Sequence, residues 1–230
     1  TGKSFYNLYY REQDAHGNWL TPKPLVGDIN GKYHEGPAVF DKEGEVVYFT
    51  RSNYFKNRLF KSSINENNLK IFTARLVNGE WKYLEELPFN SDEFSVGHPA
   101  LSPDETTLYF ISDMPGGFGG TDIYRAEFDG QVWGKPENLG SVINTPGDEM
   151  FPFFSPEGKL YFSSDAHLNM GGLDIFSSTF DNAEQVWLPI ETLNYPLNSS
   201  HDDFAYVQKG SAKSGYITSN RHSPDEIYEF

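Results

Sequence analysis

The chain contains no cysteine. Disulfide staples, zinc–thiolate centres and thiol nucleophiles are therefore excluded. Basic residues are scarce: 18 Lys and Arg stand against 33 Asp and Glu, a net charge of −15. That balance argues against nucleic acid, whose affinity comes from Lys and Arg neutralising phosphates. It argues equally against an anionic membrane surface. No apolar run approaches the roughly 18 residues of a membrane span; the longest are patches such as Phe151-Pro152-Phe153-Phe154. A secretory leader pattern is missing, and residue 1 is Thr rather than Met, so a processed or excised chain is expected. Also missing are a Gly-Lys-Ser/Thr phosphate loop, a Gly-x-Ser-x-Gly elbow and a His-Glu-x-x-His pair.

What the chain has in abundance is aromatic residues, 16% of its 230 positions. A chain this aromatic can bury enough surface to fold despite its charge. Turn formers are plentiful too, with 21 Gly and 14 Pro, which points to an all-β protein.

The four tryptophans, Trp19, Trp81, Trp133 and Trp187, are spaced by 62, 52 and 54 residues, and each is followed six residues later by Leu. A repeat of about 53 residues surrounds them. Strand A covers Pro37-Ala38-Val39-Phe40, Pro99-Ala100-Leu101-Ser102, Pro152-Phe153-Phe154-Ser155 and Phe204-Ala205-Tyr206-Val207. A tight turn such as Ser102-Pro103-Asp104-Glu105 leads to strand B, for example Leu108-Tyr109-Phe110-Ile111. A glycine-rich loop leads to strand C, as in Asp122-Ile123-Tyr124 and Asp174-Ile175-Phe176, and a last turn leads to the Trp strand, D. The alternation has period two and no stretch sustains a helical period.

Four short strands per repeat predict a β-propeller of four-stranded antiparallel blades, each needing its neighbours to bury its faces. The expected division is a partial blade at 1–28, a blade with a long loop at 29–90, blades at 91–142 and 143–196, and a partial blade at 197–230. That gives seventeen strands in five sequence repeats, the first supplying only C and D and the last only A to C. Strands A and B of the first blade are expected upstream of Thr1 in a longer protein. The loop between B and C takes nine residues in two blades but eighteen from Ser52 to Lys70, so an insertion lies at about Asn53–Leu69.

His98-Pro99-Ala100-Leu101-Ser102-Pro103-Asp104, Leu108-Tyr109-Phe110-Ile111-Ser112-Asp113 and Gly119-Gly120-Thr121-Asp122-Ile123-Tyr124 together resemble the PD40, or WD40-like, repeat of TolB-type propellers. With Gly171-Gly172-Leu173-Asp174-Ile175-Phe176 and the long loop after Thr50, the chain is similar to propellers of Bacteroidetes OmpA-family proteins, among them a component of the type IX secretion and gliding machinery. The resemblance implies a non-enzymatic scaffold in the periplasm, associated with the outer membrane, with protein partners and no cofactor. Peptidoglycan contact would run through a domain outside these residues. The rival readings are a glycan- or peptidoglycan-binding propeller and a polysaccharide lyase or glycosidase.

Asp122 and Asp174 occupy one position in two blades and read as caps of their own loops rather than a catalytic pair. The repeated Trp residues read as packing between blades rather than carbohydrate platforms. His34, His98 and His201 precede strand A, with Glu149 and Asp202 nearby; they are candidate metal ligands at a channel mouth, but their offsets from the strand differ. The insertion carries a local sign reversal. Arg51, Lys56, Arg58, Lys61, Lys70 and Arg75 face only Glu66. Tyr54, Phe55 and Phe60 lie among them, the composition of an interface hot spot. Arg51, Tyr54, Phe55, Lys56, Arg58, Phe60 and Lys61 are the expected partner-binding residues.

Overall fold

The computed structural model describes residues 5–211, 213–222 and 224–230. The fold is all-β, of the β-propeller type, and its blades are small antiparallel sheets. The chain divides into two compact units, one ending at Gly97 and the other running His98–Phe230.

In the first unit, β1 (Tyr9–Tyr10) pairs with β2 (Lys23–Pro24). A full blade follows in the order β3 (Glu35–Phe40), β4 (Val46–Ser52), β7 (Leu69–Val77) and β8 (Glu80–Glu86). Between β4 and β7 the insertion forms its own ribbon, β5 (Tyr54–Phe55) with β6 (Arg58–Leu59). The second unit begins within β9 (Val96–Leu101), which forms a blade with β10 (Thr107–Ser112), β11 (Asp122–Glu127) and β12 (Glu137–Asn138). The next blade contains β13 (Glu149–Phe154), β14 (Lys159–Ser164) and β15 (Asp174–Asp181). Its D position is split into β16 (Val186–Trp187) and β17 (Glu191–Thr192). The last described sheet has three strands, β18 (Asp203–Gln208), β19 (Gly215–Ser219) and β20 (Glu226–Glu229). Strands stand at the expected A, B and C positions, but at the D position Trp19 and Trp133 make only isolated bridges, to Gln13 and Phe128, and the short strands β2 and β12 follow them.

Blades are held together by burial, because each sheet has two apolar faces. Leu139 and Ile143, leaving one blade, pack with Leu160, Phe162, Phe176 and Trp187 of the next. Ile175 packs with Tyr206 and Ile217 across the following junction. In the first unit Ile29, leaving β2, joins Val47, Phe49, Phe72 and Trp81. Trp81, Trp133 and Trp187 are 5%, 9% and 8% exposed, as packing residues should be. Trp19 is 45% exposed. It sits beside a two-stranded sheet, with the Arg11 guanidinium 5.6 Å from its ring, so the packing role does not extend to it.

An asparagine recurs at the blade junctions. Asn30, Asn90, Asn144 and Asn198 each use one amide to bridge the backbone of the second or third residue of a C strand or its approach. The Oδ1 atoms accept from the N–H of Leu8, Ile71, Ile123 and Ile175 at 2.8, 3.0, 2.8 and 2.8 Å. The Nδ2 atoms donate to the same residues' carbonyls at 3.0, 2.7, 3.0 and 2.9 Å. The Leu six residues after each Trp donates its N–H to that same carbonyl. A side chain thus replaces one rung of the ladder where strand D leaves the sheet.

The Gly-Gly pairs belong to a second clasp. Asp148 Oδ1 accepts from Thr121 N and Oγ1 at 2.7 and 3.0 Å, and Asp202 Oδ1 accepts from Leu173 N at 3.0 Å. A Cβ on Gly119 or Gly171 would strike the backbone of 145–147 or 200–201 in the next blade, so only glycine permits the approach.

Candidate interaction site

The insertion is an anchored structure. Lys56 and Asn57 form the two-residue turn of the ribbon, both with left-handed backbone (φ 48° and 64°), as in the turns whose twist matches a hairpin. At its base the N–H of buried Asn53 donates to Asn68 O, and Phe60 N donates to Asn53 O, both at 2.9 Å. Asn67 Nδ2 donates to the carbonyls of Asn53 and Phe60 at 3.2 and 2.7 Å. Asn53 Nδ2 and Asn68 Nδ2 reach Asp92, on the connection after β8, at 2.7 and 2.8 Å. A second lobe closes through Ser62 and Glu66, and Ser63 Oγ donates to Glu93 at 2.6 Å.

The aromatic side chains hold the ribbon to its blade. The Phe55 ring lies 5.6 Å from Phe72 and the Tyr54 ring 4.9 Å from Tyr33. Lys56, Arg58 and Lys61 are exposed and have no carboxylate partner among the described residues. Lys56 Nζ lies 5.0 Å from the Phe55 ring and the Arg58 guanidinium 5.4 Å from the Phe60 ring, contacts that stiffen both stems. Lys61 Nζ donates to Asn65 Oδ1 at 2.9 Å. Two exposed apolar residues, Leu59 and Ile64, lie close to these cations in the sequence. Sequence reasoning passed over both, because neither belongs to a periodic pattern.

Three residues of the expected basic run are not on the insertion: Arg75 lies in β7 opposite Val46, at the end of the β4–β7 pair remote from the ribbon, and two others are buried. Arg51 is buried, and its Nε donates to buried Glu35 Oε1 at 2.9 Å across the β3–β4 pair. Burial pushes the Glu35 carboxyl above its ordinary range, and the Arg51 charge opposes that shift. Arg51 is therefore a blade-closing residue and is withdrawn from the partner-binding set. Lys70 is buried as well, pairing with Glu86 at 3.0 Å and Asp92 at 2.7 Å. Its hydrogen bond, with that of Asn53, holds the Asp92 carboxyl below the usual range.

The residues before strand A do not form a metal centre. No group of three or more His, Asp or Glu is placed to hold an ion among the described residues. His34 is exposed and its Nδ1 accepts from Tyr6 N at 3.3 Å. Glu149 is fully buried; it accepts from Thr145 N and Oγ1 at 2.8 and 2.6 Å and from Ser164 Oγ at 2.7 Å. Asp202 accepts from Leu173 and Asn220, and exposed His201 lies 3.3 Å from Ser200 Oγ. His98 stacks on Phe151 at 4.1 Å, and Phe151 lies 5.1 Å from Phe204. Desolvation lowers the His98 pKa to about 4. Asp122 and Asp174 cap their own loops, accepting from Phe118 N, and from Met170 N and Gly171 N. Burial raises the Asp174 pKa.

No family model matches the sequence, and no curated protein matches it either. Solved structures do. A TolB-type protein of Agrobacterium tumefaciens is similar over 93% of this chain and 70% of its own, with 14% identity and a TM-score of 0.56. A gluconolactonase of Xanthomonas campestris is similar over 91% of this chain and 61% of its own, with 16% identity and a TM-score of 0.54. A puromycin-hydrolyzing peptidase of Mycobacterium tuberculosis matches over 90% of this chain, with 16% identity and a TM-score of 0.51; the chain spans 28% of that peptidase's length. At such identities the likeness concerns the fold alone, a β-propeller.

Proposed function

We propose that the chain is a non-enzymatic interaction module whose ribbon, Tyr54–Leu59, docks an acidic partner protein. The observation that supports this is a charge reversal on an anchored element. Lys56, Arg58 and Lys61 have no carboxylate partner among the described residues on a chain of net charge −15, and exposed Leu59 and Ile64 lie within the same insertion. Exposed cations and apolar side chains on an element already ordered bind with little entropy cost. The PD40-like residues of the repeat support placing this module in the periplasm, at an outer-membrane complex of the secretion or gliding kind.

The test is the triple variant Lys56→Glu, Arg58→Glu, Lys61→Glu in a pull-down from the cell-envelope fraction. A partner captured by the wild type should be lost, and its capture should weaken with salt. The melting temperature should stay within a few degrees, since all three side chains are exposed. Retention of every partner by a folded triple variant refutes the ribbon as the docking element.

A further inference from the structure

One blade junction is sealed and its counterpart is open. Leu25 and Leu139 occupy equivalent places, each donating its N–H to a C-strand carbonyl, and the clasp residues Asn30 and Asn144 follow each by five. The segments between them, Val26–Ile29 and Gly140–Ile143, therefore correspond residue for residue. In the first unit Val26–Asp28 lies along the outer edge of β8. Trp81 N donates to Val26 O at 2.8 Å, Asp28 N donates to Trp81 O at 2.7 Å, and Gly27 forms a parallel bridge with Trp81. Gly27 has φ 116°, and any Cβ there would strike the Trp81 backbone.

In the second unit the corresponding segment withdraws. The left-handed turn comes at Gly140 (φ 84°), and Asn144 N donates to Gly140 O at 2.9 Å, so 140–143 curl back on themselves. A groove of about 310 Å³ is left between Gly140–Val142 and Gln185–Trp187, with Arg125 and Phe180 along it. Trp187 holds the place of Trp81. Because Leu188 N donates to Thr179 O, the Phe180–Trp187 pair is the non-hydrogen-bonded kind, and the Trp187 N–H and C=O point away from β15 into the groove.

We propose that this groove binds an extended peptide segment, which adds alongside Trp187 as Val26–Asp28 adds alongside Trp81. The occupant is a short strand with a small residue at its centre. Its carbonyl accepts from Trp187 N and its next-but-one N–H donates to Trp187 O, the mode by which sheet edges recruit a strand. The volume suits about three small residues, as the sealed junction uses.

The probe is the capped hexapeptide Leu-Val-Gly-Asp-Ile-Asn, copied from 25–30, titrated into the full chain while amide shifts and hydrogen exchange are followed by NMR. The Trp187 amide should shift and its exchange should slow about tenfold at saturation. The same peptide N-methylated at its Asp nitrogen should bind about tenfold more weakly, having lost one hydrogen bond. Val142→Trp, which fills the groove from an exposed position, should abolish the shift without lowering the melting temperature. No shift at Trp187 at millimolar peptide, equal binding of the methylated peptide, or displacement of the shift by a chitooligosaccharide would each overturn the proposal.

Discussion

Replacing Asn144 by alanine removes one of the recurring clasps at a buried position, where Asn144 is 2% and Ile123 0% exposed. Three hydrogen bonds disappear: Ile123 N to Oδ1 at 2.8 Å, Nδ2 to Ile123 O at 3.0 Å, and Nδ2 to Asn138 Oδ1 at 2.8 Å. The two acceptors keep other donors, since Leu139 N still reaches Ile123 O and Gly140 N still reaches Asn138 Oδ1. The Ile123 N–H keeps none, and a buried unsatisfied donor costs about 1–3 kcal/mol. With about 1 kcal/mol for the other bonds and some lost packing, the total is about 3–4 kcal/mol. At about 2–4 °C per kcal/mol for a chain of this size, the melting temperature should fall by about 6–16 °C. Asn144→Asp separates hydrogen bonding from volume. It preserves size and the acceptor for Ile123 N, but sets a carboxylate oxygen against the Ile123 carbonyl and Asn138 Oδ1. It should destabilise at least as much as alanine at neutral pH, measured by denaturant titration and calorimetry. A loss below about 1 kcal/mol for Asn144→Ala would show that the clasp follows from the junction's geometry rather than holding it.

The tryptophans should divide by burial: Trp187→Ala should cost about 3–5 kcal/mol, whereas Trp19→Ala should cost under about 1 kcal/mol, and equal costs in denaturant melts would contradict the packing assignment. His98 should make the fold acid-sensitive. Its folded pKa of about 4 lies below the ordinary value of 6.5, so the unfolded chain binds the extra proton and stability falls as pH drops from about 6.5 towards 4. The loss is on the order of 1–3 kcal/mol, and it should be absent from the pH difference profile of His98→Phe; identical profiles for the two proteins would remove His98 as its source.

The repeat was legible because its signals are of kinds that a single sequence displays. Four Trp in one register, Gly-Gly before Asp-Ile, and alternating aromatics mark positions where one residue type meets one physical need. The clasp asparagines carried the same information and were passed over. They lie eleven residues after Trp19, Trp133 and Trp187 but nine after Trp81, so alignment on Trp puts Asn90 out of register. The charge run was legible only as composition. Reading along the chain places Arg51 beside Lys56, but β4 buries Arg51 against Glu35, sixteen residues away, before the ribbon begins. A glutamate opening one strand and an arginine closing its neighbour is the pattern that antiparallel register converts into a pair.

What recurs in this protein is accounted for by stability, and that narrows where recognition resides. The clasps and the loop-capping aspartates hold each blade's own strands and loops, and the Gly-Gly approaches, Trp81 and Trp187 seat one blade on the next. Departures from the repeat solve no such problem. The groove at Gly140–Val142 leaves open an edge that the fold elsewhere closes with its own chain. The ribbon places Lys56 in a left-handed conformation that glycine or asparagine adopts more easily, at a cost of about 1 kcal/mol. Glycine at that turn would ease the backbone but remove the charge from the tip. The strain makes sense if the cation at position 56 is needed for contact, so Lys56→Gly should stabilise the ribbon slightly while weakening capture of the acidic partner.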